Sequence, residues 1–262
     1  MSSKPYIKAI AEGSEIYFRA FSLASNISRH EGQIEWIAPI PGEKGPAIVY
    51  KSQLPSPAEE EICKLLPELQ AGKIPALWAL TPLSAPEGLA DILAAKGFKN
   101  ITNKERPEYG MAFDMNGLIT LSRPDKNIEI IKVKTPADFE AWINVVNTAL
   151  HGWELLTAKH YAVWLEQEAF AFYLGFLNGI PISTAATIKD GSSASLEFVS
   201  TLKEYRGHGG AYAVCLKALE DLQECGVEMV TLRSSFEGAK LYEKLGFKPY
   251  YEQQLFFFQN KS

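Results

Sequence analysis

The sequence predicts a mixed α/β (α+β) protein made of two similar domains in tandem, each with a mostly antiparallel central sheet flanked by helices. Three observations carry this. A chain of 262 residues is too long for one average domain and comfortable for two. In the second half, three strand-like stretches follow one another across Asn178-Gly179 and Asp190-Gly191, dipeptides that favour the positive φ angles of tight hairpins. Helical and extended patterns then alternate to the C-terminus, completing the order βααβββαβαβ.

The elements follow in chain order. Met111, Ala112 and Phe113 read as a strand, and so do residues 128–133; the breakers and charges of 121–127 between them set a boundary that divides the chain into 1–125 and 126–262. Residues 136–150 carry Phe139, Trp142, Ile143, Val146 and Leu150 at helical spacing, with Thr135 as N-cap and Asp138 three residues on. A second short helix covers 158–166. The meander occupies 171–177, 180–188 and 194–201. Residues 211–225 form a helix stopped by Gly226, 227–232 a strand, 237–245 a helix ending at Gly246, and 250–258 a last strand.

Composition removes several function classes. Hydrophobic residues at 47% and charged residues at 22% are ordinary for a globular chain, and no stretch approaches the roughly 20 apolar residues of a membrane helix. The N-terminus lacks a basic stretch followed by an apolar core, so the expected compartment is the cytoplasm. A net charge of −5, with no interleaved basic and aromatic run, opposes a nucleic-acid partner. Cys63, Cys215 and Cys225 are odd in number and lack metal-ligand spacing, which leaves them as buried packing residues and implies no metal.

The chemistry concentrates in residues 196–211, where a strand runs through a glycine-rich loop into a helix. Three glycines within four residues, Gly207, Gly209 and Gly210, let the backbone approach a ligand. Free N–H groups at the helix start, the helix dipole and Arg206 together suit phosphate oxygens. The pattern is not the G-x-x-x-x-G-K-[ST] nucleotide loop, and no lysine stands where that loop needs one.

Arg206-x-x-Gly209-x-Ala211 resembles the Q/R-x-x-G-x-G/A pyrophosphate signature of the GCN5-related N-acetyltransferase (GNAT) family. The segment Ala239-Lys240-Leu241-Tyr242-Glu243-Lys244-Leu245-Gly246-Phe247 resembles a second motif of that family, and the two together cover most of 194–258. The resemblance implies an acyl-CoA N-acyltransferase-like fold and acetyl-CoA as cosubstrate. It also implies that Val199 and Thr201 hydrogen-bond the pantetheine arm through their backbone. Amides of Gly207, His208, Gly209, Gly210 and Ala211 would hold the pyrophosphate, with Arg206 adding charge. His208 adds charge below neutrality or is an exposed loop residue. Tyr242 aligns with the general acid toward the departing thiolate, or is an aromatic on the buried face of a short helix; Glu197 reads first as a solvated strand carboxylate, and alternatively as the base that deprotonates an ammonium substrate directly or through water. Ser234 and Ser235 stand where many relatives carry asparagine against the cosubstrate, so Ser235 is a weaker ligand candidate. His151, Trp153 and Glu154 fall where the family's acceptor-side loop lies.

The first half holds a fainter echo. Trp78-Ala79-Leu80, Pro86-Glu87-Gly88 and Lys96-Gly97-Phe98-Lys99 parallel Val230-Thr231-Leu232, Phe236-Glu237-Gly238 and Leu245-Gly246-Phe247-Lys248. Leu93 stands in the place of Tyr242, and residues 1–125 contain no counterpart of the phosphate loop. The first half is thus expected to be a degenerate copy, with Trp36, Ile37, Leu77 and Trp78 in a core or facing the other domain. The function implied is transfer of an acetyl group to a primary amine, on a small molecule or a peptide, by a monomer or homodimer. A non-catalytic acyl-CoA-binding sensor is the alternative, and a tandem aminoacyl transferase using charged tRNA is opposed by the intact loop and the acidic chain.

Overall fold

The computed structural model describes residues 3–115 and 128–259, so the expected boundary segment 121–127 lies outside the described residues. The first half runs α1 (Lys4–Phe21), β1 (Ile27–His30), β2 (Ile34–Pro39), β3 (Ile48–Ser52), α2 (Ala58–Gln70), β4 (Leu77–Leu80), α3 (Leu89–Ala95), β5 (Phe98–Asn100) and β6 (Tyr109–Asp114). Next come β7 (Glu129–Lys132) and α4 (Pro136–Val146), which ends in a π-turn over Asn147–His151, then α5 (Ala158–Tyr161) with a 3-10 turn over Ala162–Glu166. β8 (Phe170–Leu177), β9 (Ile180–Asp190) and β10 (Ser193–Thr201) form the meander. α6 (Gly210–Glu224), β11 (Met229–Ser234), α7 (Phe236–Lys244), β12 (Lys248–Glu252) and β13 (Gln254–Phe258) close the chain.

Local chemistry explains most boundaries. Thr135 Oγ1 accepts from the Asp138 amide at 3.1 Å and donates to the Asp138 carboxylate at 2.6 Å, fixing the start of α4. Asn178 and Gly179, at φ 53° and 78°, turn β8 into β9. β1-β2-β3 and β8-β9-β10 are both antiparallel meanders, and β3/β4 and β10/β11 are both parallel pairs. The strand-helix-strand echo is therefore real in three dimensions: β4-α3-β5 repeats β11-α7-β12.

The two sheets exchange strands. The first is ordered β1-β2-β3-β4-β13-β5 and the second β12-β6-β11-β10-β9-β8-β7. β6, from the first half, lies antiparallel between β11 and β12, and β13, the last strand, lies antiparallel between β4 and β5. A division at 125/126 therefore does not separate the sheets. The expected single strand over 250–258 is two strands in different sheets, broken at buried Gln253. The Gln253 amide nitrogen Nε2 donates to Leu80 O at 2.6 Å, and its backbone N–H to Glu108 O at 2.8 Å, pinning the crossover to β4 of the first sheet and to the residue before β6 of the second.

Three cores result. Ile62, Trp78, Leu93 and Phe98 pack with Phe256 and Phe258 of the exchanged strand. Val214, Leu219, Leu232, Tyr242 and Phe247 form a second core on the α6 side of the second sheet. Between the halves, Phe18 and Phe21 of α1 pack among Trp142, Trp164, Phe172 and Phe198, and the Trp164 indole donates to Ala20 O at 2.9 Å. Ile37 and Trp78 are fully buried as expected, whereas Trp36 and Leu77 are half-buried. Cys215 is buried, but Cys63 and Cys225 are exposed, on the outer face of α2 and at the end of α6, so burial was the wrong expectation for those two. Among the described residues no helix is long and apolar enough to cross a membrane, and no group of His, Cys, Asp and Glu could hold a metal ion.

Candidate active site

The second sheet opens at its centre. β10 pairs in parallel with β11 only from Ser193 to Ser195, opposite Met229 to Thr231, and continues alone with β9 to Thr201. Its register against β9 shifts between Glu197 and Ser200, and Phe198 sits at φ 52°. A bulge of this kind bends a strand, and a bulky side chain at positive φ costs on the order of 1 kcal/mol. Ring contacts offset that cost: Phe198 lies 5.3 Å from Trp142, 5.4 Å from Tyr17 and 5.6 Å from Trp164. The bent strand and its departing partner leave a cavity of about 970 Å³ between β10, the start of α6 and α7.

One wall of the cavity is the glycine loop that the sequence marks as the phosphate-binding candidate. Arg206, Gly207, Gly209, Gly210 and Ala211 line it together with Val199 and Thr201. Gly207 and Gly209 hold φ at 77° and 85°, which an L side chain resists, even though the space beside Gly207 is open. At Gly210 space itself is the constraint, because a Cβ would lie 2.8 Å from Ser183 Oγ. α6 starts there with no side-chain cap, so its first amides have no intrahelical partner and a fifteen-residue dipole behind them. The Arg206 Nε donates to Thr201 O at 3.3 Å, tying loop to strand, and the buried Thr201 Oγ1 has no partner within the protein. His208 is not in the lining: its Nδ1 folds back to within 3.2 Å of Tyr205 O and 3.1 Å of Arg206 O.

The opposite wall is α7. Ser235 reaches the cavity, but its Oγ accepts from the Gly238 amide at 3.1 Å and so caps the helix, while Ser234 Oγ donates to Ser235 O at 2.7 Å. Tyr242 lines the cavity with its ring edge-on to Phe247 at 5.9 Å. Burial pushes the Tyr242 phenol well above its ordinary 10, with Cys215 and Glu197 adding to the rise. The hydroxyl therefore stays protonated throughout the neutral range.

Residues 129–247 match the family model described as acetyltransferase (GNAT) family. The chain carries a GNAT domain. Similar solved structures include a GCN5-related N-acetyltransferase from Kribbella flavida, 17% identical over 96% of each chain with a TM-score of 0.67. A tandem GNAT protein from the clavulanic acid biosynthesis pathway is 14% identical, over 94% of this chain and 86% of that one, with a TM-score of 0.61. A functionally unknown conserved protein from Staphylococcus epidermidis is 12% identical, over 94% and 99%, with a TM-score of 0.62. No curated protein matches the sequence. At these identities the likeness is one of fold, and it extends over both halves.

The first half lacks the opening that the GNAT domain has. There the parallel pair is carried past its strands: Gln53 bridges Ala85, Leu54 N–H donates to Ala85 O and Ala85 N–H to Ser52 O, both at 3.0 Å. The glycine loop is replaced by Gln53 to Pro57, leading into α2.

Glu197 of the GNAT domain does not line the cavity. It is 7% exposed on the sheet face that α1 covers, where it accepts from Ser195 Oγ. Burial lifts its carboxyl to about 7, opposed by Arg233 and by the Ser195 hydrogen bond. Arg233 in turn lies over the rings of Tyr17 and Phe18 at 4.8 and 4.5 Å. The turn after α4, expected on the acceptor side, reaches the cavity through Ala149 and Leu150, not through His151, Trp153 or Glu154; Trp153 is exposed, and burial lowers the pKa of His151. Sequence reading also missed Arg106, Tyr205, Tyr212, Glu237, Lys240 and Lys244, all of which line the cavity. The last three were detectable as one face of α7, spaced three and four residues apart.

Proposed function

We propose that the protein is an N-acetyltransferase that moves an acetyl group from acetyl-CoA to a primary amine on a small molecule or peptide. The observation that supports this best is that an uncapped helix start and a protonated tyrosine face one another across a single cavity. Binding alone needs only the first of these. The amides from Gly207 to Ala211 would take the pyrophosphate, and the backbone of Val199 and Thr201, beyond the end of the β11 pairing, would accept an extended pantetheine arm as a further strand. Acetyl-CoA supplies the acetyl group as an activated thioester. Tyr242 holds a proton where the departing sulfur requires one.

A second reading, a non-catalytic acyl-CoA-binding module, draws on Glu197 being sealed beneath α1, away from the cavity. A screen of amines for release of free thiol from acetyl-CoA, run with the intact protein and with Tyr242→Phe, separates the two. The enzyme reading expects turnover that falls about a hundredfold or more in the variant with acetyl-CoA binding retained. Binding with no turnover on any amine class would favour the sensor.

A further inference from the structure

The first half reaches the cavity of the second, and what it supplies there rests on the acyl-CoA reading above. CoA carries negative charge at two separate places, the diphosphate and the phosphomonoester on the 3′ oxygen of its ribose. The cradle at the start of α6 accounts for the first. The other wall carries more positive charge than the cradle needs: Arg106, Lys240 and Lys244 line the cavity there. Among the described lining residues the only carboxylate is Glu237, in a chain whose net charge is −5. Lys240 and Lys244 are four residues apart and so share a face of α7.

Arg106 comes from the other half of the chain, and the strand exchange explains how. β6 begins at Tyr109, whose partners are Ser234 at the end of β11 and Glu252 in β12. The three residues before it are therefore delivered beside Ser235 and the first turn of α7. There the Arg106 guanidinium forms an ion pair with Glu237, and at 61% and 56% side-chain exposure both groups remain open to an incoming anion. A phosphomonoester, doubly charged near neutrality and rich in acceptor oxygens, competes well for a guanidinium held by one exposed carboxylate.

We propose that Arg106, together with Lys240 and Lys244, receives the 3′-phosphate of CoA, displacing the Glu237 carboxylate, so that the first half contributes a donor-recognition residue to the GNAT domain. The test is calorimetric titration of the full chain with CoA and with 3′-dephospho-CoA, in wild type, Arg106→Ala and Glu237→Gln. Wild type should prefer CoA by on the order of tenfold. Arg106→Ala should lose most of that preference while binding dephospho-CoA as wild type does, and Glu237→Gln should increase the preference. Equal binding of the two ligands by wild type overturns the inference alone, as does an Arg106→Ala protein that weakens both equally or keeps the wild-type ratio. Failure of wild type to bind either ligand overturns the acyl-CoA reading and the inference with it.

Discussion

Replacing Glu197 by glutamine should stabilise the protein at alkaline pH and not at acid pH. The carboxyl lies at the centre of the second sheet under α1, and burial raises it from the ordinary 4.5 to about 7, although Arg233 and Ser195 pull the other way. Below about pH 4.5 the group is protonated in folded and unfolded chains alike and contributes no pH dependence. As pH rises from there through about 7, the unfolded chain releases its proton first and the folded state loses stability relative to it. The full difference corresponds to about 3 kcal/mol. Glutamine keeps the shape and an acceptor for Ser195 Oγ but has no proton to lose. Urea denaturation of wild type and Glu197→Gln at pH 5 and pH 8 isolates the effect, because other titrating groups are common to both proteins. Because the unfolded carboxyl is already partly ionised at pH 5, the variant should gain about 2 to 3 kcal/mol over wild type at pH 8 relative to pH 5. An equal change at both pH values, or a larger loss at pH 8, would refute the buried, desolvated carboxyl.

Three further outcomes follow from the same geometry. Phe256→Ala removes a ring that is 2% exposed from the exchanged strand, and thermal melts should show a loss of about 3–5 kcal/mol; a loss below about 1 kcal/mol would contradict the pairing of β13 with β4 and β5. Gly210→Ala places a methyl 2.8 Å from Ser183 Oγ and should weaken acetyl-CoA binding by about 1–3 kcal/mol, measured by titration, with unchanged affinity as the contrary result. Because the Tyr242 phenol is held well above 10, turnover should show no loss from its ionisation up to about pH 9; an alkaline fall centred below pH 9 that vanishes in Tyr242→Phe would be inconsistent with that burial.

What could be read in the sequence was local. Hairpins at Asn178-Gly179, the Thr135 cap and the strand-loop-helix around Arg206 depend on residues within a few positions of one another, and the structure has all three. The echo of 230–248 in 78–99 could be seen for the same reason. The strand exchange could not, since β6 and β13 find partners more than a hundred residues away, and the aromatic residues on both sides of Gln253 let 250–258 read as one strand. Tertiary placement also governed the site residues. α1 covers Glu197, Ser235 becomes a cap, His208 folds onto its own loop, and Arg106 arrives from the other half.

The most direct test of the central claim is calorimetric titration of the intact protein with acetyl-CoA, beside the double variant Arg206→Ala, Gly209→Glu. A site built from the uncapped start of α6 predicts saturable binding by wild type and none by the variant, which loses a cation and places a carboxylate among the amides proposed to take the pyrophosphate. A folded wild-type protein that does not bind acetyl-CoA, or a variant that binds it as wild type does, would contradict the claim.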